Sequence, residues 1–329
     1  MVVASRANTD AEAARRAVIE AEASNAEKAE MLMEIAMGMQ QKPKSVDDLI
    51  EAISLYRQGA DLCPAESGLL RARILARMAT AQMITPAKDA SFVEAARATI
   101  EDALGVLREL GTPAELAEAE MNYGLILQNL AAENRARIQD SISAYQRSLR
   151  IFDAKKYPAE FAVLQNNLAT AFLSIPFTDE KSKMREALAV QAFEEGLKVV
   201  TMVDHPNEYA MLQNNLGNAL QYVSSSHRVE NGYRAIEAYD EALRVRTRAD
   251  TPAEYANTLA NKANCLANLP DNPARPEAGN QENLGAALAL YREALEMFRG
   301  FGEAQKVEIV SAAILELEAD LNGARDLPN

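Results

Sequence analysis

The stretches PAEFAVLQNNLA, at residues 158–169, and PNEYAMLQNNLG, at residues 206–217, are two copies of the sequence phrase that decides the fold. Related copies begin at Pro113 and Pro252, and a weaker copy begins at Pro64. Successive prolines of the five copies lie 45 to 49 residues apart. The shortest spacing is between Pro113 and Pro158, and the longest is between Pro64 and Pro113. A repeat of this length accommodates two helices and a loop, and it is typical of an α-solenoid.

The phrase has the features of a helix N-terminus. Pro at the first helical position lacks only an N–H that would have no intrahelical partner, and the Glu two residues later lies near the positive end of the helix dipole. In two copies a Thr precedes the Pro, so a T-x-x-E capping box is expected at Thr112 and at Thr251. The phrase therefore predicts the first helix of each repeat, and we interpret its Glu as a capping residue.

A second amphipathic pattern accompanies the phrase. It consists of an aromatic residue with a small residue four positions before it and another three positions after it, and these positions share one face of a helix. The pattern predicts a second helix in each repeat, with its ring packed in the core between small residues. The aromatic positions are Tyr56, Tyr145, Phe193, Tyr239 and Tyr291.

This combination, with Leu then Gly or Ala in the first helix and an aromatic residue between small residues in the second, resembles the tetratricopeptide repeat (TPR). The QNN segments and the long loops are most similar to the extended repeats of kinesin light chains and their bacterial relatives. Trp is absent, and Lys262 stands where Leu168 and Leu216 stand in other copies. The resemblance implies an all-α fold, a right-handed α-solenoid of about six TPR-like helix pairs with a capping C-terminal helix.

We expect a single α-solenoid over residues 1–329. An N-terminal helix pair would span residues 10–62, with its first helix over 10–41. TPR-like repeats would fill residues 64–300, and the capping helix would span residues 302–322. The repeats would start near residues 64, 113, 158, 206 and 252.

Composition argues against several classes of function. The chain has 48 acidic and 34 basic residues, and its formal charge of −14 repels the phosphate backbone of nucleic acids. No apolar stretch approaches the roughly 20 residues that span a bilayer, and the N-terminus has no secretory apolar region. We therefore expect a cytoplasmic protein that contacts neither nucleic acid nor membrane.

No catalytic or metal-binding constellation is found in the sequence, so we expect neither an enzyme nor a cofactor. His205 and His227 are the two histidines, and neither has a carboxylate or nucleophile nearby at helical spacing. Cys63 and Cys265 would be too far apart in a solenoid to form a disulfide, and no Cys/His cluster suggests a metal.

One polar residue recurs at the same place in the first helices, nine residues after the Pro of the phrase. Asn is a mediocre helix former, so its recurrence indicates either a partner within the helix stack or a ligand. The resemblance implies a ligand, because this position lines the concave groove of TPR domains, where Asn side chains hold the backbone of an extended peptide. The alternative is that these side chains bond between neighbouring helices and keep the repeats in register.

Further residues extend this candidate groove. Two more Asn precede the recurring ones directly, two lie one turn later on the same helical face, and the resemblance places a Met and a Tyr toward the groove as side-chain pockets. The predicted partner-binding residues are Asn122, Asn166, Asn167, Met211, Asn214, Asn215, Asn218, Tyr222, Asn261 and Asn264.

These features predict a non-catalytic protein–protein interaction module, an adaptor or assembly factor that binds a protein or peptide segment in its groove. The acidic charge favours a neutral or basic segment, and the groove lacks the repeated Lys or Arg of a site that binds a carboxylate terminus. Two alternatives stay open. One is a scaffold that forms a homo-oligomer through its convex face or its ends, and the other is a regulator whose superhelix changes shape when a peptide binds.

Overall fold

The computed structural model describes residues 6–175, 180–223 and 227–323. These residues form fourteen α-helices, and the described ranges contain no β-strand. The chain divides into two compact units, Met1–Asp153 and Ala154–Asn329. The helices of the first unit are α1 (Arg6–Glu20), α2 (Asn25–Gln41), α3 (Val46–Leu62), α4 (Gly68–Ile84), α5 (Ser91–Leu110), α6 (Pro113–Ala132) and α7 (Ile138–Leu149). Those of the second are α8 (Pro158–Leu173), α9 (Glu180–Leu197), α10 (Pro206–Tyr222), α11 (Arg228–Leu243), α12 (Pro252–Ala267), α13 (Gln281–Phe301) and α14 (Ala304–Gly323).

Within each unit, helices that follow one another along the chain pack in pairs. The pairs are α2/α3, α4/α5 and α6/α7 in the first unit, and α8/α9, α10/α11 and α12/α13 in the second, where α14 packs on α13. The first helices of neighbouring pairs also touch, so α2, α4 and α6 form one row and α8, α10 and α12 form another. The six pairs and the C-terminal helix confirm the all-α, TPR-like repeat fold. The right-handed superhelix and the single-solenoid organisation stay predictions.

A large buried side chain of the second helix packs against a small residue of the first. A Cβ on Gly124 of α6 would lie 2.5 Å from the ring of Tyr145 in α7, and one on Gly217 of α10 would lie 2.6 Å from the ring of Tyr239 in α11. A small residue stands eleven positions after the start of all six first helices: Ala36, Ala79, Gly124, Ala169, Gly217 and Ala263. The large buried side chains at the corresponding positions of the second helices are Tyr56, Ile100, Tyr145, Phe193, Tyr239 and Tyr291.

The helix starts agree with the phrase at four prolines, which are the first residues of α6, α8, α10 and α12. The predicted capping box forms at Thr112, whose backbone N–H donates to the Glu115 carboxylate at 2.8 Å. The capping box predicted at Thr251 is wrong. The Thr251 hydroxyl accepts a hydrogen bond from the Thr247 N–H at 3.1 Å, and its side chain does not cap α12.

The N-terminal region differs from the prediction of one helix over residues 10–41. The first helix ends at Glu20, and a second begins at Asn25. Ser24 starts this second helix through a capping box, because its N–H donates to the Glu27 carboxylate at 2.8 Å and its hydroxyl accepts from the Glu27 N–H at 3.3 Å. Residues 10–62 therefore belong to three helices, with α1 packed against α2 and α3.

Two other boundaries are set by turns. The helix α4 begins at Gly68 and not near residue 64, because the Ser67 N–H closes a turn on the Pro64 carbonyl at 2.9 Å. The helix α13 ends before Gly302, whose φ of 71° lies in the left-handed region that glycine adopts without a Cβ penalty. The final helix then covers Ala304–Gly323, close to the predicted capping helix.

The described residues contain neither a membrane-spanning helix nor a group of metal ligands. None of the helices within the described ranges combines the length and the apolarity needed to cross a bilayer. No three His, Cys, Asp or Glu residues in the same ranges are grouped to hold a metal ion. Cys63 and Cys265 are free, and burial raises the pKa of the Cys265 thiol to about 12, so this thiol is protonated at neutral pH.

The close approach of ring and glycine predicts that Gly217→Ala destabilises the protein, although Ala is the better helix former. The added Cβ would displace the Tyr239 ring, and overpacking of this kind costs about 1–3 kcal/mol. Gly285→Ala is the matched control, because that glycine lies in α13 of the same unit with no neighbouring atom within 4 Å, and the substitution should stabilise by up to about 1 kcal/mol. Urea unfolding followed by circular dichroism measures both, and equal effects would contradict the packing argument.

Candidate functional site

Five Asn side chains in the row α8, α10 and α12 are joined by consecutive hydrogen bonds. The Asn261 amide donates to Asn214 at 3.2 Å, and the Asn214 amide donates to Asn215 at 3.0 Å. The Asn215 amide then donates to Asn166 at 2.7 Å, and the Asn166 amide donates to Asn167 at 3.2 Å. We name this set of five residues the Asn ladder.

The ladder joins neighbouring repeats of the second unit. The bond from Asn215 to Asn166 connects α10 to α8, and the bond from Asn261 to Asn214 connects α12 to α10. Asn166 and Asn214 are each only 7% exposed, and each bonds both within its own helix and to the neighbouring helix. These are the bonds that the stacking alternative predicts, whereas ligand binding by the Asn column stays a prediction.

The ladder does not use the full hydrogen-bonding capacity of its amides. A carboxamide has two N–H donors and two acceptor lone pairs, and every ladder bond uses one of each. Asn167 accepts one bond, and its own N–H groups donate to no residue within the described ranges. Asn167, Asn215 and Asn261 are half-buried. Stacking and ligand binding are therefore compatible at these three side chains.

The remaining predicted residues of the second unit lie beside the ladder. Asn218 accepts a hydrogen bond from the buried Tyr239 hydroxyl at 2.7 Å, so it supports the ring of the second helix. Asn264 donates to the Tyr222 hydroxyl at 2.8 Å, and Tyr222 is 69% exposed. Met211 is half-buried, one helical turn before the ladder position in α10. An aliphatic side chain and an aromatic one thus flank the ladder on α10.

Asn122, in α6 of the first unit, is not a member of the ladder. The residue before it is Met121, whereas an Asn precedes Asn167 and Asn215, so α6 lacks the second amide of a ladder. Asn122 lines a pocket together with Arg73 and Arg77 of α4.

Both arginines belong to one first helix, α4, so the predicted lack of Lys or Arg repeated along the groove stays a prediction. Arg73 donates to the Glu115 carboxylate at 2.6 Å and lowers the pKa of that carboxyl group. The phrase at Pro64 predicts a start for this helix that is four residues too early, so the repeat pattern does not reveal the position of these arginines. Counted from Gly68, where α4 begins, Arg77 occupies the ninth position that Asn122 occupies in α6.

Comparison with known proteins bears on the fold. No protein-family profile and no curated protein matches the chain. A Signal Transduction ATPase with Numerous Domains (STAND) protein with a tetratricopeptide repeat sensor, PH0952 from Pyrococcus horikoshii, is 13% identical with a TM-score of 0.55. That alignment covers 95% of this chain and 45% of the other. The apo form of RapI is also 13% identical, with a TM-score of 0.51 over 90% of this chain and 99% of RapI.

BtubC (BKLC) from P. vanneervenii is 19% identical over 86% of this chain and 92% of its own, with a TM-score of 0.46. Because this TM-score is below 0.5, we draw no conclusion about fold or function from the match to BtubC. At these identities the similar structures support the TPR-like fold alone, and the specific resemblance to kinesin light chains stays a prediction.

The ladder geometry predicts that Asn214→Ala destabilises the protein. The substitution removes one bond to Asn215 and one from Asn261 at a buried site, and it should cost about 2 kcal/mol. Asn257→Ala is the control, since Asn257 is a half-buried residue of α12 with no hydrogen bond to any described residue. Equal losses for the two variants in urea unfolding would show that the ladder does not hold the repeats together.

Proposed function

We propose that this TPR-like repeat protein is a non-catalytic interaction module, an adaptor or assembly factor that binds an extended partner segment along α8, α10 and α12. One observation carries the proposal. Three half-buried amides, of Asn167, Asn215 and Asn261, recur once per repeat and keep hydrogen-bonding capacity beyond the ladder. Amides of this kind satisfy the C=O and N–H groups of a peptide backbone.

The spacing of the row suits an extended chain. Packed helices lie about 8–10 Å apart, and an extended peptide advances about 3.3 Å per residue. One ladder amide would therefore meet roughly every third residue of the segment. Contacts to the backbone select for an extended conformation and not for a particular sequence.

Side-chain contacts are needed for useful affinity. A neutral hydrogen bond contributes about 1 kcal/mol net, so three backbone contacts alone would hardly offset the ordering of the segment. Met211 and Tyr222 flank the ladder and would accept an apolar side chain, which would bring binding to roughly the micromolar range. The net charge of −14 favours a neutral or basic segment and disfavours nucleic acid, and we place the protein in the cytoplasm.

Self-association is a second candidate, and one observation favours it. Ile309 and Leu315 are 61% and 68% exposed on α14, which leaves apolar side chains at the end of the helix stack. Glu308 and Glu316 are also exposed on this helix, and their charges would repel a second copy that docked face to face. We therefore favour the adaptor function over self-association.

Photo-crosslinking tests the binding face directly. A photoreactive amino acid at Met211 should crosslink to a separate polypeptide in the native cytoplasm, and mass spectrometry should locate the link in one extended segment. The control position is Met184 of α9, which is 67% exposed and lies outside the row. Crosslinks only between copies of this chain would support the scaffold instead, and equal capture at both positions would contradict a groove site.

A pair of substitutions separates binding from stacking. Asn167→Asp keeps the oxygen that accepts from Asn166 but removes the free N–H donors, so it should weaken capture of the crosslinked segment about tenfold with little change in melting temperature. Asn166→Ala breaks two ladder bonds without removing a half-buried donor, so it should lower the melting temperature and spare capture by the folded protein. The reverse pattern would refute the proposed role of Asn167.

A further inference from the structure

A second column links the two helices of each pair. Fifteen positions after the start of the first helices stand Gln40, Met83, Gln128, Leu173, Gln221 and Ala267. Where this residue is Gln, the second helix carries a tyrosine whose hydroxyl donates to it. The distance is 2.8 Å from Tyr56 to Gln40 and 2.8 Å from Tyr145 to Gln128. It is 3.1 Å from Tyr239 to Gln221, where the single O–H proton is shared with the shorter bond to Asn218.

Two pairs lack both polar groups. Met83 corresponds to Ile100, and Leu173 corresponds to Phe193, so neither pair has a hydroxyl to satisfy. In five of the six pairs the polarity of the two positions therefore matches.

The α12/α13 pair breaks this rule. Tyr291 is only 6% exposed, yet its hydroxyl has no hydrogen-bond partner among the residues that the structure describes. The corresponding residue of α12 is Ala267, whose side chain is too short to reach it. The missing Gln leaves a pocket between α12, α13 and α14, and Tyr291 and Ala267 both line it. The hydroxyl oxygen is not fully buried and borders this pocket, so a ligand there could form a hydrogen bond with it.

The rest of the pocket is rich in hydrogen-bond acceptors. Each of three lining Asn residues already donates one of its two amide N–H groups, Asn264 to Tyr222, Asn268 to the Asn264 carbonyl, and Asn280 to the Ala267 carbonyl. Their side-chain oxygens accept no hydrogen bond from the described residues.

Two carboxylates border the same pocket. Glu316 and Asp320 of α14 form no ion pair within the described ranges. Burial raises the pKa of Tyr291 to about 12, and the nearby charge of Glu316 adds a smaller contribution in the same direction. An occupant with several donors and a positive charge would therefore match the Asn oxygens and the two carboxylates, and the Tyr291 hydroxyl is available as a further acceptor.

We propose that this pocket binds a guanidinium group, the arginine side chain of the partner segment, with Tyr291, Asn264, Glu316 and Asp320 around the cation. A guanidinium carries five N–H donors and a permanent charge, and it accepts no hydrogen bond. Asn264 also contacts Tyr222 beside the ladder, so the pocket adjoins the proposed groove. The identity of the arginine as part of a segment rests on the proposed function, whereas cation binding by the pocket does not.

The test uses the full chain, labelled with ¹⁵N, and a single capped residue as the probe. N-acetyl-arginine amide should bind with a roughly millimolar Kd and shift the backbone amides of α12 and α14 around the pocket. N-acetyl-glutamine amide, which has the donors and the acceptor of the missing Gln but no charge, should bind about tenfold more weakly. Equal binding of the two probes would overturn the assignment of a cation.

Ala267→Gln is the decisive variant, because it supplies the residue that the other tyrosine-containing pairs already have. It should occupy the pocket, bond to Tyr291, leave the melting temperature unchanged or raised, and abolish binding of the arginine probe. The double variant Glu316→Gln with Asp320→Asn should weaken binding about tenfold, at roughly threefold per exposed carboxylate. Glu308→Gln, at an exposed carboxylate of α14 outside the pocket, should change nothing.

The outcomes separate this proposal from the proposed function. Probe binding that survives Ala267→Gln, or the absence of any shift at α12 and α14, would overturn the pocket. Probe binding that is lost as expected, together with no crosslink at Met211, would leave the pocket standing and refute the groove as a partner site.

Discussion

The structure depends on a large buried side chain in each second helix, a ring in five of the six pairs and Ile100 in α5, and on a small residue in the first helix of the pair. Gly124 and Gly217 show how tight the contact between the two is, because a Cβ at either position would overlap a tyrosine ring. The contact fixes how each second helix sits on its first helix. In the second unit the first helices of neighbouring pairs also contact one another, and the Asn ladder lies at those contacts.

Much of this arrangement could be predicted from the sequence, because it repeats. The ring positions and four helix starts follow from patterns that occur several times, so a chance match at one copy matters little. Features that occur once were missed. The helix break at Ser24 depends on a single capping box, and the start of α4 at Gly68 depends on one turn after Pro64. The failed cap at Thr251 reflects competition from a nearby backbone N–H, which spacing does not reveal.

The candidate site was predicted in part for the same reason. The Asn column is visible in the sequence, but the bonds of Asn214 and Asn166 to the next helix are contacts between repeats, and no local pattern encodes them. The unpaired Tyr291 is likewise visible only after the helices are aligned by their true starts. Ala267 stands at a position that is Gln in three other pairs, and this local break in the pattern indicates a residue that the packing of the pair alone does not explain.

The central claim is that the half-buried ladder amides hold the repeats together and bind a partner backbone at the same time. A crystal structure of the protein with the segment captured at Met211 tests it most directly. The account predicts backbone oxygens of the segment about 3 Å from the amide nitrogens of Asn167, Asn215 and Asn261, with the bonds from Asn215 to Asn166 and from Asn261 to Asn214 intact. A segment bound on another face, or one that binds only after those bonds break, would contradict it.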